Sequence, residues 1–501
     1  KVLDSKYINT SELWSPFESQ LKDFSENDYE TLKPLILEQD IPALQKHIAD
    51  GKLNYEKLTK FYLYRIRKLD RENDLSLNSV ISINPNVIEQ AKQADKTRFI
   101  DAPHPIFGMP ILLKDNINAS GMPTTAGAFA LKDNRTTDDA FIVKKLKESG
   151  ALILGKANLS EWAYYFCDGC PLGYSAIGGQ TLNPYGRKIF ETGGSSSGSG
   201  VSVAANYAVA AVGTETSGSI LSPSSKNSVV GLKPTIGLLS RTGIVPISST
   251  LDTPGPMTKN VMDNAIFIAA MAGSDVEDAS TLNVLSTVDY LKDLNTSTMK
   301  GKRLGVMRDL LSDSIYKKNI ELLQKAGAII VEFEPIQLQL DGFLTLLNID
   351  MKYDLPKYLS TYADKSLKIK SIEDVIQINI KDSLQRAPYG QQLFNGILKD
   401  ATTLAELEIV KNNLSSKGKQ FFNEPMDSLN LEAILSINNY HAGFAAVAKY
   451  PCLTVPMGYE KSGEPISLTF IAKPFQEQKL LKLGYAFEQL SKVRKQPKNF
   501  Q

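Results

Sequence analysis

Three short stretches of this 501-residue chain hold residue types that could work together chemically. They are ETGGSSSGSG (residues 191–200), GTETSGSI (213–220) and GMPILLKDNI (108–117). A Gly-rich turn that opens a helix can cradle a phosphate through free backbone N–H groups. The first stretch nevertheless lacks the Lys of a Walker loop, and the strand a dinucleotide fingerprint needs before its glycines, although Glu215 falls at a tolerable distance for the acidic partner. A nucleophilic serine is the alternative, and a serine hydroxyl is inert near neutral pH until a base takes its proton, most often a carboxylate-held histidine. The chain has 3 histidines. His47 lies in a helical segment, His104 between prolines, and His441 opens HAGFAAVAKY. GTETSGSI matches the nucleophile-elbow pattern only loosely, at Ser217-Gly218. A buried lysine can replace histidine, because loss of water disfavours its ammonium form. Lys114 follows Ile111, Leu112 and Leu113, a run suited to a sheet. It is either such a base, or a strand-end lysine that pairs with Asp115 or meets solvent. In GTETSGSI the small residues let the N–H groups of Thr216, Ser217, Gly218 and Ser219 converge on one point, as in an oxyanion hole.

Positioning these groups requires a scaffold, and the hydrophobic rhythm supplies one. Leu58, Phe61, Tyr62, Ile66 and Leu69 recur at helical spacing on one face. The β-branched run at 80–83 reads as a strand, and residues 86–95 return to helical rhythm. Strands at 108–117, 151–158 and 207–215 then alternate with a helix at 138–150, and GIVPIS (243–248) continues the series. Further on come a strand in KRLGVMRD, helical segments over KKNIELLQKAGAIIVEF and TLAELEIVKNNLSSKGKQFF, strands in EAILSI and PCLTVPMGY, and a closing amphipathic helix. Such alternation predicts one large α/β domain, a largely parallel or mixed sheet covered by helices on both sides. The expected division is a helical N-terminal extension over 1–75 and an α/β domain over 76–501, with its catalytic core at about 105–270 and a variable helical insert at about 310–430.

Composition narrows the partners. A net charge of +1, from 56 basic and 55 acidic residues, offers no field for nucleic acid or an anionic membrane. No apolar run of the ~20 residues needed to span a bilayer is present, so a soluble protein is expected, either monomer or homodimer. The chain begins at Lys1 rather than Met, which leaves both a cytoplasmic location and export with a removed leader open. The 3 cysteines are too few for a disulfide scaffold. Cys167 and Cys170 read as a local disulfide or two inert thiols. No paired spacing completes a zinc site around them, and neither a metal nor a cofactor is called for.

Taken together and in order, GMPILLKDNI, GGQTLNPY, TGGSSSGSG, GTETSGSI, VVGLKPTIGLLSRTGIVPIS and LDTPGPM closely resemble the amidase signature family, from about Leu58 to the C-terminus. The resemblance implies a Lys–cis-Ser–Ser triad of Lys114, Ser195 and Ser219, with a cis peptide bond between Gly194 and Ser195. It implies amide hydrolysis through an acyl-enzyme, with Ser219 attacking, Ser195 relaying the proton and Lys114 as the base. Ser196 is expected to hold the turn, and Asp115, Arg241 and Asp252 to support the site. Leu221, where the family's amidotransferase A subunits usually carry Arg, and the following SPSS make the chain look more like the stand-alone amidases, including peptide amidases acting on C-terminal amides. An amidotransferase A-type subunit, an esterase or an aryl acylamidase is the alternative, and a non-catalytic subunit is disfavoured by the complete triad. Tyr164, Tyr165 and Phe166 either line an acyl pocket or belong to the core.

Overall fold

Apolar strands buried on both faces organise the chain around one sheet. The computed structural model describes residues 2–98, 103–282, 284 and 288–501. Its strands are β1 (Val80–Ile83), β2 (Pro110–Lys114), β3 (Leu152–Ala157), β4 (Tyr174–Ser175), β5 (Gly179–Gln180), β6 (Ala210–Glu215), β7 (Val230–Lys233), β8 (Thr253–Thr258), β9 (Arg303–Met307), β10 (Ile329–Phe333), β11 (Ala433–Ile437), β12 (Cys452–Tyr459) and β13 (Pro465–Ile471). β4 and β5 form a separate hairpin, and the rest form an 11-stranded sheet in the order β1-β3-β2-β6-β8-β7-β12-β13-β11-β9-β10. The sheet is mixed, with β2 parallel to both β3 and β6, and β8 antiparallel to β6. Burial on every residue of β2, β3 and β6 explains why these strands read as continuous apolar runs rather than alternating ones.

The helices Ser197–Ala204, Val261–Met271 and Glu477–Ser491 pack on β6, β8 and β12. The helix Tyr55–Leu69 is capped by Asn54, whose side chain accepts from Lys57 N, and the apolar face read from the sequence is its buried face. One continuous core runs from Trp14 through β2 and β6 to Phe500. A second core gathers Trp162, Tyr165 and Phe166 with residues of the helices Phe343–Thr361, Ile372–Ile380, Gln392–Lys399 and Leu404–Ser428.

Four local expectations are corrected. The helical reading of KKNIELLQKAGAIIVEF holds only to Lys325; Gly327, at φ 95°, ends that rhythm and the β-branched Ile329–Phe333 become β10 beside β9. GIVPIS builds no ladder and makes a single bridge, Ile244 to Ile117. β8 went unread because Pro254 and Pro256 argue against a strand inside a sheet. Its ladder to β7 covers only Met257 and Thr258, which follow Pro256, while β6 runs beside it to Thr253. β13 was not read either, although PISLTFI lies between β12 and β11. Among the described residues no helix is long and apolar enough to cross a membrane.

Candidate active site

Lys114 is the last residue of β2, and Ser219 follows the end of β6, the parallel neighbour. Both therefore emerge at the carboxyl ends of adjacent strands, where open α/β sheets place their ligands. The Gly/Ser stretch crosses the same edge before entering the helix Ser197–Ala204. Gly193 has φ 64°, and a Cβ there would come within 2.7 Å of Ser222 Oγ; one on Gly194 would come within 2.6 Å of Ser160 Oγ. These two glycines let the loop lie close against Ser222 on one side and Ser160 on the other. The peptide bond Gly194–Ser195 is cis.

Lys114 is fully buried, and its Nζ lies 2.7 Å from Ser195 Oγ. It also donates to the carbonyl and hydroxyl oxygens of Thr214, at 3.2 and 2.8 Å. Burial draws its pKa from 10.5 down to about 7, against the opposing pull of Asp252 and Glu215. The ion pair with Asp115 that the sequence left open does not form. Asp115 instead receives Lys156 Nζ at 3.2 Å and both the N–H and the hydroxyl of Thr125. The two neighbouring strands thus carry two buried lysines of different fate. Lys156 has a carboxylate, whereas Lys114 has only hydroxyls and a carbonyl and is left close to neutrality.

The turn that carries Ser219 is held from several sides. Glu215 Oε1 accepts the N–H groups of Ile220 and Leu221, at 2.7 and 2.9 Å. Thr216 donates its hydroxyl to Asp252 at 2.6 Å, and Asp252 also accepts from Ile247 and Ser248 N–H. Burial raises Asp252 to about 6. Ser196 donates its hydroxyl to Thr214 O, accepts from Thr214 N, and donates its own N–H to Ser219 O at 3.2 Å, which ties the Gly/Ser loop to both β6 and the turn. Gly218 takes φ 85°. Among the described residues the N–H groups of Thr216, Ser217, Gly218 and Ser219 donate to no protein acceptor, and the Ser219 hydroxyl makes no hydrogen bond. Free amides beside a free hydroxyl are what an oxyanion requires.

Arg241 lies beyond this shell. It forms an ion pair with Asp278 at 2.8 Å and donates to Ser249 O. Tyr165 and Phe166 resolve toward the core, and Tyr164, partly exposed, donates its hydroxyl to Cys170 O. Cys167 and Cys170 are disulfide-bonded and Cys452 is a buried free thiol. Sequence reasoning missed Thr214, Asn116, Ser160 and, as a support for the turn, Glu215. Asn116 donates to Thr214 Oγ1 at 2.9 Å, and Ser160 N donates to Ser195 O at 3.0 Å. Asn116 stands two residues from Lys114, and Thr214 and Glu215 lie within GTETSGSI, whereas Ser160 carried no such signal.

A near-neutral lysine bonded to a serine, beside a turn of unpaired amides on a large mixed sheet, is a geometry suited to serine-based acyl transfer. The chain belongs to the amidase family, whose model matches residues 57–436. It is 36% identical to "Probable amidase At4g34880" of Arabidopsis thaliana over 92% of each chain. Among solved structures it resembles an amidase family protein from Bacillus anthracis str. Ames, with TM-score 0.94 and 40% identity over 99% of both chains. It also resembles the native peptide amidase from Stenotrophomonas maltophilia, with TM-score 0.87 and 38% identity over 92% of this chain and 98% of that one.

Proposed function

We propose that this protein hydrolyses linear amides through an acyl-enzyme, with Ser219 as nucleophile, Ser195 as proton relay and Lys114 as base. The observation that carries the reading is the buried contact of 2.7 Å between Lys114 Nζ and Ser195 Oγ. A neutral amine has two N–H bonds and one lone pair. Thr214 O can only accept, and Thr214 Oγ1, which also receives Asn116, accepts the second N–H. The lone pair is left for the Ser195 hydroxyl proton. Ser195 takes the proton of Ser219 in turn, Ser219 Oγ attacks the carbonyl carbon, and the developing oxyanion meets the N–H groups of Thr216, Ser217, Gly218 and Ser219. Breaking the C–N bond sends the Ser195 proton to the leaving nitrogen. Water then repeats the cycle on the ester and releases the carboxylate. Asp115 and Ser196 brace the machinery, Asp252 braces the turn, and Arg241 braces the loop behind it.

The resemblance to peptide amidases favours C-terminal peptide amides as substrates. Turnover of such an amide in hydroxylamine tests the acyl-enzyme, because the ester partitions to a hydroxamate. Hydroxamate formation that disappears in Ser219→Ala supports the reading, and hydrolysis that persists in Ser219→Ala overturns it. Among the described residues a Ser–His rival has one structural candidate, Ser436 Oγ lying 2.5 Å from His441 Nδ1. Ser436 is buried within β11, and burial lowers His441 to about 4, which makes that imidazole a poor base.

A further inference from the structure

Between β3 and the hairpin of β4 and β5 the chain walls the Ser195 side of the site. Ser160 N donates to Ser195 O at 3.0 Å, and Ser160 Oγ accepts Gly173 N at 2.9 Å. Leu172, partly exposed, packs against Gly194, where a Cβ would come within 2.9 Å of Leu172 Cδ2. Ser160 and Leu172 thus grip the Gly194–Ser195 unit between them. The segment that joins them is strained. Trp162, Ala163 and Tyr164 follow one another in the left-handed region, at φ 52°, 55° and 74°, which residues with a Cβ occupy only under constraint. Tyr164 donates its hydroxyl to Cys170 O at 2.9 Å, Asp168 N donates to Gln392 Oε1 at 3.2 Å, and Leu393 N donates to Phe166 O at 3.2 Å. Covalent closure comes from the disulfide between Cys167 and Cys170, which stands two residues before Leu172. The tip of this turn, Asp168 and Gly169, is exposed, and the space around Gly169 is open to solvent.

Resting on the reading of Ser195 as proton relay, we propose that Cys167 and Cys170 are a site of thiol–disulfide exchange that switches the enzyme. The oxidised pair clamps Leu172 onto Gly194, and reduction by a dithiol releases it. One thiolate of the dithiol attacks a sulfur of the pair, the S–S bond breaks, and a mixed disulfide forms while the other cysteine leaves as a thiolate and takes a proton. The second thiol of the dithiol then displaces the remaining cysteine. Two electrons and two protons have passed to the protein, which gains two thiols, and the dithiol has become a disulfide. Without the closure the left-handed run relaxes, Leu172 withdraws from Gly194, and Ser195 Oγ loses its fixed place 2.7 Å from Lys114 Nζ. Among the described residues no hydrogen bond joins residues 161–172 to the turn 216–219, so the switch acts on the relay and not on the oxyanion amides. Cys452, a buried thiol within β12, takes no part.

The test compares the whole protein in its oxidised form with the same protein reduced by dithiothreitol and desalted. Thiols titrated in denaturant with dithionitrobenzoate confirm the two states, as one free thiol before reduction and all 3 cysteines after it. Reduction is expected to lower kcat on a peptide amide about 10- to 100-fold, the scale of a small misplacement of reacting groups, with KM changed less than about twofold. Oxidised glutathione is expected to restore the rate. Cys452→Ala is expected to keep the whole response. Leu172→Ala removes the contact and leaves the disulfide, and is expected to show the low kcat before reduction and no further fall after it. A reduced protein that keeps the oxidised kcat overturns the proposal, and so does a loss that reoxidation does not restore. A fluorophosphonate adduct on Ser219 of the oxidised protein shows that the acyl-enzyme reading survives such a failure, and absence of that adduct shows that the reading itself has failed.

Discussion

At the scale of residues, what distinguishes Lys114 is what it lacks. Its neighbour Lys156 has a carboxylate and Lys114 has none within hydrogen-bond reach, so burial wins and the amine sits at about 7. In the proposed mechanism the neutral form is the competent base, and its fraction grows with pH. The acylation rate is therefore expected to rise with unit slope as pH climbs toward about 7 and to level off above it. A rate already flat from pH 5 to 9 would contradict the assignment of Lys114. Lys114→Ala and Ser195→Ala are each expected to lower kcat by about 10³-fold or more while leaving the fold intact, measured by steady-state kinetics beside circular dichroism. The sequence pointed at Lys114 through the apolar run before it, but could not choose between base, ion pair and exposed end. That choice depended on Asp115 turning to Lys156, a contact 41 residues away. Ser195 was likewise one serine of several, and only the family pattern selected it. Asn116 and Thr214 were invisible, because their value lies in hydrogen bonds that the fold creates.

At the scale of elements, the turn that carries Ser219 depends on two devices, the left-handed Gly218 and the Glu215 carboxylate that gathers two N–H groups. Gly218→Ala would force a side chain to φ 85° and bring its Cβ to 3.1 Å from Asn439 Nδ2. The left-handed strain costs ~1–2 kcal/mol, and activity is expected to fall further than stability as the amides turn away from the oxyanion. Glu215→Ala strands two N–H donors, and chemical denaturation is expected to show a loss of ~2–3 kcal/mol, the scale of bonds to a charged acceptor. A stable, fully active Glu215→Ala protein would show that the turn holds itself. The elements that sequence made legible were those with one clear period, such as β2, β6 and the helix Tyr55–Leu69. Those it hid had local chemistry at odds with their place: β8 carries Pro254 and Pro256, and β10 continues the apolar rhythm of the helix before it.

At the scale of the whole molecule, the N-terminal helices share one core with β2 and β6. Arg65 is fully buried on the helix Tyr55–Leu69 and donates to Tyr29 Oη, Ala205 O and Phe500 O, joining the first helices, the end of the Gly/Ser helix and the C-terminus. The structure gives residues 1–75 no core of their own, and we propose that they act as an integral brace rather than a detachable extension. Arg65→Ala takes a donor from three acceptors, of which Phe500 O keeps Gln496 Nε2, and is expected to cost ~3–5 kcal/mol in denaturant unfolding, the scale of a broken buried network. A loss below ~0.5 kcal/mol, the range of surface changes, would show the two parts to be separable. The central claim concerns the chemistry that this brace supports, and mass-spectrometric mapping of a fluorophosphonate adduct tests it most directly. The account predicts an adduct on Ser219 that forms in the His47→Ala, His104→Ala and His441→Ala proteins and is lost in Lys114→Ala. An adduct on Ser436 or any other residue, or labelling of Ser219 that ignores Lys114, would contradict it.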